Sequence, residues 1–385
     1  MTVLVVLAGC SASEPIVAPS LTADPPADWS LADPTDQHHA TTAFAPDGTL
    51  AVAWTVGPLP GPTGIVLRTD DLAVVELGRG RFGAKPDIEA DALGRWLVAY
   101  QLTAGGIGLD RVDGATVTGV DLATSATGNN SVDVAVQPDG SALTVWYEEG
   151  PVTGAYHAVL TDPGLRQSQV SGPLAVVASY TPVPPDAAPM PDGGALYGWM
   201  DQAVSEDLPP DILRLTRLGA DGTERWTVDI DQDAERAPRR PTIGVDPTGR
   251  SAVVYRRYLP DQGTTAEGWL AAFDDDGSAL TAPVSFTEEV AERPVLAQLG
   301  AEAVAVAWST WDGSRWWVEL AVYGFPGFEL IAGPITLSDG AVDADRPHVA
   351  AHPAVDGVWE LAVSWEEGTP GRVLVATAIF VEGSG

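Results

Sequence analysis

The side chains with the clearest chemical potential in this chain are a set of cations and a set of acids that recur at matching intervals. The cations are Lys85, Arg240, Arg293 and Arg346. The acids are Asp87, Asp133 and Asp186, joined by His348, and they lie two residues further along the repeat than the position of the cations. Guanidinium groups bind carboxylates through paired hydrogen bonds, and two carboxylates with different roles can cleave a glycosidic bond. The pattern therefore predicts an anion-binding site beside a band of acids.

A repeat of about fifty residues must position these side chains. Seven short apolar strands end in an aromatic residue, at Trp54, Tyr100, Trp146, Trp199, Tyr255, Trp308 and Trp365. The successive intervals are 46, 46, 53, 56, 53 and 57 residues. Self-similarity at a fixed period of this size is typical of repeat folds, so one closed domain accounts for the length of the chain.

A complete unit contains four apolar strands separated by turn sequences such as Pro138-Asp139-Gly140. Seven such units predict an all-β, seven-bladed β-propeller over residues 28–385, with almost no helix. The last unit supplies only three strands, around 348–351, 359–365 and 373–380. We therefore expect residues 28–33 to pair beside 373–381, complete the last blade and close the ring.

The innermost strands of the blades converge on a central channel, and their register can be counted back from the aromatic residues. Pro86, Pro241 and Pro294 lie fourteen residues before their aromatics, as expected for the first position of a strand. Strand alternation then places the cations at one mouth of the channel and the acids with His348 just inside it. Three residues past the reference, small side chains predict a narrow waist, at Ala43, Glu89, Ala135, Ala188, Gly244, Ala297 and Ala350.

A structural role competes with a ligand site for the basic residues. Each Arg-Pro pair follows an acidic linker, with Glu292 before Arg293 and Asp345 before Arg346. Each arginine could therefore form a local ion pair as part of the repeat, because structural ion pairs perturb charges as active sites do. We favour this local pairing over a shared ligand site.

The net charge of −33 narrows the classes of partner. The chain has 53 acidic residues against 20 basic ones, and Lys85 is its one lysine. A field of that sign repels phosphate backbones and excludes nucleic acid as an expected partner. No phosphate-binding loop, nucleophile elbow or Cys-His pair is present, and the His348/His352 spacing on a strand does not bring the two imidazoles together, so we predict no cofactor, no metal and no catalytic residue.

The first residues, MTVLVVLAGC, predict an exported and lipid-anchored protein. The apolar run is too short to span a bilayer and ends before Cys10, the one cysteine. The Leu-Ala-Gly-Cys box resembles a bacterial lipoprotein signal, which implies lipidation of Cys10 and a signal over residues 1–10. Residues 11–27 have the composition of a flexible Pro/Ser/Ala tether. We expect a bacterial cell-envelope location on the outer membrane, facing the periplasm or the surface, with membrane contact through the lipid anchor alone.

The repeat resembles secreted and lipid-anchored bacterial propellers of unassigned role, and more distantly Tol-type periplasmic propellers. The resemblance rests on the Pro-Asp-Gly turns and the aromatic strand ends between residues 38 and 385, which are structural features. It implies the fold and export and carries over no catalytic residue. From the Leu-Ala-Gly-Cys box, the closed repeat and the lack of a catalytic set we expect a non-enzymatic binding or scaffold module whose partner is an envelope protein or a glycan.

The alternative is a carbohydrate-active hydrolase. Arg240, Arg293 and Arg346 with Asp87 or Asp133 faintly resemble the sialidase arrangement, in which three arginines bind a sugar carboxylate. The stretch from Ser309 to Trp316 has the wrong spacing for a sialidase box, and sialidases have six blades. Another glycosidase that uses the basic and acidic channel mouth therefore stays open beside the sialidase-like interpretation.

Overall fold

The computed structural model describes residues 18–32, 36–57, 63–71, 73–78, 83–103, 105–123, 129–149, 153–169, 175–178, 183–201, 211–232, 237–258, 266–287 and 290–383. Cys10, the predicted signal over residues 1–10 and residues 11–17 of the predicted tether lie outside this part of the chain. The described residues form thirty β-strands and no α-helix, and none of them forms a helix long and apolar enough to cross a membrane.

The strands group into seven antiparallel sheets. The chain begins with β1 (Ser20–Ala23) and β2 (Ala27–Asp28). Blade 1 contains β3 (Gln37–Phe44), β4 (Leu50–Val56), β5 (Gly64–Thr69) and β6 (Val74–Glu76). Blade 2 contains β7 (Gly83–Ala90), β8 (Trp96–Leu102), β9 (Ile107–Asp113) and β10 (Thr116–Ala123). Blade 3 contains β11 (Asn129–Val136), β12 (Ala142–Glu148), β13 (Thr153–Thr161) and β14 (Gln167–Gln169), with β15 (Ala175–Ala178) also paired to β13.

The remaining blades repeat this order. Blade 4 contains β16 (Asp186–Pro189), β17 (Ala195–Asp201), β18 (Ile212–Leu218) and β19 (Glu224–Gln232). Blade 5 contains β20 (Ala237–Val245), β21 (Ser251–Tyr258), β22 (Ala266–Phe273) and β23 (Ala279–Ser285). Blade 6 contains β24 (Glu292–Leu299), β25 (Ala303–Trp311), β26 (Trp316–Gly324) and β27 (Leu330–Thr336). Blade 7 contains β28 (Ala344–Val355), β29 (Val358–Glu367) and β30 (Arg372–Val381).

The first strands of neighbouring blades contact one another around the whole ring, including β28 of blade 7 with β3 of blade 1. The predicted seven-bladed β-propeller and its inner strands are therefore confirmed. The seven aromatic markers are all buried between blades, with exposed fractions of 5% or less. Large buried aromatic side chains contribute much of the apolar area that holds neighbouring sheets together.

An N-terminal segment closes the ring, but it begins earlier than predicted. Ser20 in β1 pairs with Val381 and Ala27 in β2 pairs with Val375, and the Trp29 amide then donates to the Val373 carbonyl at 2.9 Å. The paired strands thus begin within residues 11–27, where the composition predicted a tether, and they include only the start of the predicted 28–33 segment. The physical reason is local. Pro25 and Pro26 lack amide donors, so they interrupt the pairing with β30 only in the short stretch between β1 and β2.

Candidate functional site

A bulge interrupts the first strand of six blades at the level of the predicted basic mouth. The ladder between first and second strands shifts register after His38, Ala84, Asn130, Arg239, Glu292 and Asp345. The prolines that the sequence placed at strand starts, Pro86 and Pro294 among them, lie inside these bulges. A β-bulge adds an unpaired residue and changes the direction in which its side chain points.

The residue at each bulge has a left-handed backbone. The φ angles are 54° at His39, 50° at Lys85, 51° at Ser131, 55° at Arg240, 49° at Arg293 and 55° at Arg346. Blade 4 has Pro184 at the equivalent position, and the pyrrolidine ring of proline holds φ near −65°. A left-handed non-glycine residue is strained by about 1–3 kcal/mol and persists where the surrounding structure enforces it. The fold therefore presents these six side chains at some expense to its stability.

The four predicted cations lie close enough to affect one another. Burial, followed by the charges of Arg293 and Arg346, lowers the pKa of Arg240 to about 10. Burial, followed by the charges of Arg346 and Arg240, lowers the pKa of Lys85. The structure thus brings cations from blades 2, 5, 6 and 7 together into one basic cluster, Lys85, Arg240, Arg293 and Arg346.

Two of these cations have ion-pair partners among the described residues, and the other two have none there. Arg293 Nη1 lies 2.6 Å from Asp345 Oδ2, and Arg346 Nη1 lies 2.6 Å from Glu366 Oε2. Within the described part of the chain, no carboxylate lies within ion-pair distance of Lys85 or Arg240. The local pairing expected from the linkers is also not what forms, since Arg293 binds the linker acid of the next blade while Glu292 binds Arg256.

His39 adds a neutral imidazole to the basic cluster. Its backbone N–H donates to Glu366 Oε1 at 2.5 Å, and its buried Nδ1 has no hydrogen-bond partner among the described residues. Burial, opposed by Glu366 and reinforced by Arg346 and Lys85, lowers the pKa of His39 to about 3. His39 occupies the position in blade 1 that Lys85 occupies in blade 2, whereas Glu366 comes from the second strand of blade 7, β29, which the repeat register of the first strands does not include.

The predicted acids lie deeper and fasten neighbouring blades together. Val134 N donates to Asp87 Oδ2 at 2.9 Å, Ala187 N donates to Asp133 Oδ1 at 2.9 Å, and Ile243 N donates to Asp186 Oδ2 at 2.7 Å. Each carboxylate thus satisfies an inner-strand amide that has no β partner on the channel side. Burial raises the pKa of Asp87 to about 6 and raises the pKa values of Asp133 and Asp186 well above their ordinary value.

His348 and Glu89 make the same kind of contact between blades. His348 Nδ1 accepts a hydrogen bond from Thr42 N at 3.2 Å, and burial lowers the pKa of His348 to about 4. Glu89, the large residue in the predicted ring of small side chains, accepts from Val136 N at 2.6 Å, and burial raises its pKa. At the position equivalent to Asp87, six of the seven blades form a hydrogen bond to the next blade. In blades 1 and 5 the donor is the hydroxyl of Thr41 or Thr242, and the exception is Val295 in blade 6.

The acids and His348 line a cavity of 360 Å³ that extends along the channel from the level of Asp87 away from the basic cluster. None of the four cations lines this cavity. The basic cluster and the ring of acids with His348 are therefore two separate environments. The basic cluster is suited to bind anions, and the acids are occupied by contacts between blades. No three His, Cys, Asp or Glu side chains within the described ranges are close enough to hold a metal ion.

Comparisons with known proteins give the fold and a set of similar structures. No protein-family model and no curated protein sequence matches the chain. An oligogalacturonate lyase in complex with manganese is 14% identical, with a TM-score of 0.58, and the alignment covers 94% of this chain and 97% of that one. An α-L-arabinanase from Penicillium chrysogenum is 13% identical, with a TM-score of 0.52 and coverage of 94% and 98%. A protein of unknown function from Dyadobacter fermentans is 12% identical, with a TM-score of 0.56 and coverage of 94% and 99%.

These identities establish the shared fold alone. The expectation of a non-enzymatic binding or scaffold module is nevertheless wrong against this set, which includes an oligogalacturonate lyase, polysaccharide lyases, an arabinanase and an arabinofuranosidase. The set agrees better with the alternative stated above, a carbohydrate-active hydrolase that uses the channel mouth.

Proposed function

We propose that this chain is a carbohydrate-active enzyme that binds an anionic saccharide at the basic cluster and cleaves it there. The observation that carries the proposal is a pair of cations, Lys85 and Arg240, that have no carboxylate within ion-pair distance among the described residues and are held at strained bulges in a cluster with Arg293 and Arg346. Like charges brought together in this way repel one another, and a bound carboxylate or sulfate relieves that repulsion. One of the similar structures is an oligogalacturonate lyase, and oligogalacturonate is such an anion.

The side chains at the mouth suit elimination better than hydrolysis. In a uronic acid the proton beside the carboxylate becomes more acidic when cations neutralise that carboxylate. Arg240 and Lys85 would supply the positive charge, and His39 would accept the proton from the carbon beside the carboxylate. The electrons of that C–H bond would form a C=C bond to the neighbouring carbon as its bond to the leaving-group oxygen breaks, and that oxygen would take up a proton from water. The charge of a bound anionic sugar would raise the pKa of His39 from about 3 towards the working pH, where a general base is most effective. A glycosidase would instead need two carboxylates free to exchange protons. Asp87, Asp133 and Asp186 already accept hydrogen bonds from backbone amides.

Activity on a panel of acidic and neutral polysaccharides tests this proposal. We expect the purified protein to release unsaturated products from a uronate polymer, detected by their ultraviolet absorbance. Arg240→Ala should raise KM about tenfold, and His39→Ala should lower kcat by about a hundredfold, the lower end of general-base effects. The matched control is Arg225→Ala, which removes an exposed arginine paired with Asp221 on an outer strand.

Three outcomes would contradict the proposal in different ways. Reducing ends without unsaturated product would show hydrolysis instead of elimination. Cleavage of neutral polymers alone would remove the role of the cations. Turnover that survives Arg240→Ala and Lys85→Met unchanged would place the site elsewhere.

We also propose that the enzyme works at the bacterial cell envelope, anchored through a lipid on Cys10. The support is the Leu-Ala-Gly-Cys box of the sequence. Membrane fractionation of the full chain tests it, because Cys10→Ala should release the protein into the soluble fraction. A Cys10→Ala variant that still fractionates with membranes would overturn the anchor.

A further inference from the structure

A tryptophan-lined pocket opens at the outer rim of blade 6. Trp311 ends β25, Trp316 begins β26, and the two pair across the hairpin with ring centroids 5.2 Å apart. Trp311 is 38% exposed, and it is the one aromatic residue among the large hydrophobic side chains that the described residues leave exposed. An exposed tryptophan of this kind marks a surface where apolar contact with a ligand is available.

The pocket has a volume of 620 Å³ and a mixed lining. Its walls are Val290, Thr310, Trp311, Asp312, Trp317, Glu319 and Thr336. Thr310 lines the pocket and is only 4% exposed. Its hydroxyl is buried and has no hydrogen-bond partner within the described residues. A buried hydroxyl without a partner is unfavourable, so a ligand hydroxyl that reached Thr310 would gain a hydrogen bond that is otherwise unmade.

The walls of the pocket are held in place before any ligand arrives. Asp312 fixes the hairpin turn by accepting from Ser314 N at 2.7 Å and from Arg315 N at 2.9 Å. The ring of Trp317 packs against Gly340, where a Cβ would come within 2.6 Å of it. Preorganised walls reduce the entropy that binding would otherwise lose.

The pocket lies on the same face of the ring as the basic cluster. Glu292, the residue before Arg293, pairs with Ser309, and Ser309 Oγ lies 3.2 Å from Asp345, the partner of Arg293. Trp311 follows two residues later on the same strand, about 7 Å beyond Ser309. A short oligosaccharide could therefore reach from one site to the other.

We propose that this pocket is a second saccharide subsite, which binds a neutral sugar residue of the chain whose anionic residue occupies the basic cluster. This inference rests on the proposed function. The lining contains two carboxylates, two hydroxyls and no cation, which suits sugar hydroxyls and disfavours a second anionic group. The apolar face of a sugar ring packs on Trp311, while Thr310 gains the hydrogen-bond partner that it lacks among the described residues.

Titration calorimetry with a panel of neutral disaccharides that includes arabinobiose tests the subsite by binding alone. We expect at least one to bind, with affinity about tenfold weaker in Trp311→Ala and in Thr310→Val, and unchanged in Arg240→Ala. The matched control is Trp226→Ala, a partly buried tryptophan of an outer strand in blade 4, which should bind as the wild type does.

The outcomes separate this inference from the proposed function. If neutral sugars bind through Trp311 while no polymer is cleaved, the subsite stands and the proposed enzyme falls. If uronate polymers are cleaved while no disaccharide binds, or binds equally in Trp311→Ala, the subsite is overturned. Binding of tetramethylammonium that depends on Trp311, with no sugar bound, would also overturn it by identifying a cation site.

Discussion

Arg293 donates across a blade boundary to Asp345, 2.6 Å away, while Arg240, at the equivalent position one blade earlier, has no such partner among the described residues. The difference separates two functions of one repeated position. A paired arginine joins neighbouring blades, whereas an unpaired one in a strained conformation adds positive charge that the fold itself does not use.

The left-handed backbone at Arg240 predicts an unusual order of stability. Glycine adopts φ near 55° without the strain that a Cβ causes, so Arg240→Gly should be more stable than Arg240→Ala by about 1 kcal/mol. Urea unfolding measures the difference. The same pair of changes at Arg225, on the extended strand β19, should give the opposite order, and equal stability of both Arg240 variants would argue against strain there.

The buried carboxyl of Asp87 predicts a pH dependence of stability. Its pKa is raised from 3.8 to about 6, so the folded protein binds more protons than the unfolded chain between those values. The stability that Asp87 contributes is complete below pH 3.8 and is lost as the pH rises through 6. Asp87→Asn should therefore gain stability relative to wild type across this window, on the order of 3 kcal/mol for a shift of this size. Thermal melts at several pH values measure it.

An exposed aspartate gives the control for that experiment. The backbone amide of Thr49 hydrogen-bonds Asp47 and lowers its pKa, so the folded protein there binds fewer protons. Asp47→Asn should show no gain as the pH rises. A parallel response of the two variants would mean that burial at the channel is not the cause.

Glu366 predicts the opposite slope. Burial opposes its ionisation, but hydrogen bonds from His38 and Arg346 and the charge of Arg346 outweigh it and lower the pKa from 4.5 to about 2. The stability contributed by Glu366 is present above pH 4.5 and is lost as the pH falls through 2. Glu366→Gln should be about 3 kcal/mol less stable than wild type at neutral pH, with the gap closing in acid.

The exposed Glu76, on the outer strand β6, provides the comparison for Glu366. Glu76→Gln should change the free energy of unfolding by less than about 0.5 kcal/mol at any of these pH values. A loss at neutral pH that does not shrink in acid would show that Glu366 acts through packing instead of charge.

The closing segment predicts a large effect from one tryptophan. Trp29 is 9% exposed, packs beside Trp54 and Val375, and its carbonyl accepts from Arg68 Nη1 at 2.7 Å. Trp29→Ala should lower the free energy of unfolding by about 3–5 kcal/mol, the usual loss for a buried tryptophan. Thr22→Ala, on the exposed strand β1, should change it little. Equal effects of the two changes would show that Trp29 does not anchor the segment.

The sequence predicted the ring because its signals are local and repeated. Turn residues and the buried aromatics Trp54 to Trp365 set the period, and Pro86 set the register that brought Lys85 beside Arg240. The bulge was missed because a residue before proline usually favours an extended backbone, and left-handed φ at Lys85 or Arg293 is enforced by the assembled ring. Glu366 was missed because it reaches the mouth from a second strand of another blade.

The pairing of the first and last described strands decides when the mouth can exist. Asp24 and Thr377, 353 residues apart in sequence, meet in blade 7, and such distant contacts form late in folding because closing a long loop is entropically unfavourable. Glu366 of blade 7 meets His39 of blade 1 at this same seam. A chain with six finished blades would therefore have its hydrophobic core but an incomplete mouth, so the cell would obtain a competent site only from molecules that complete the circle.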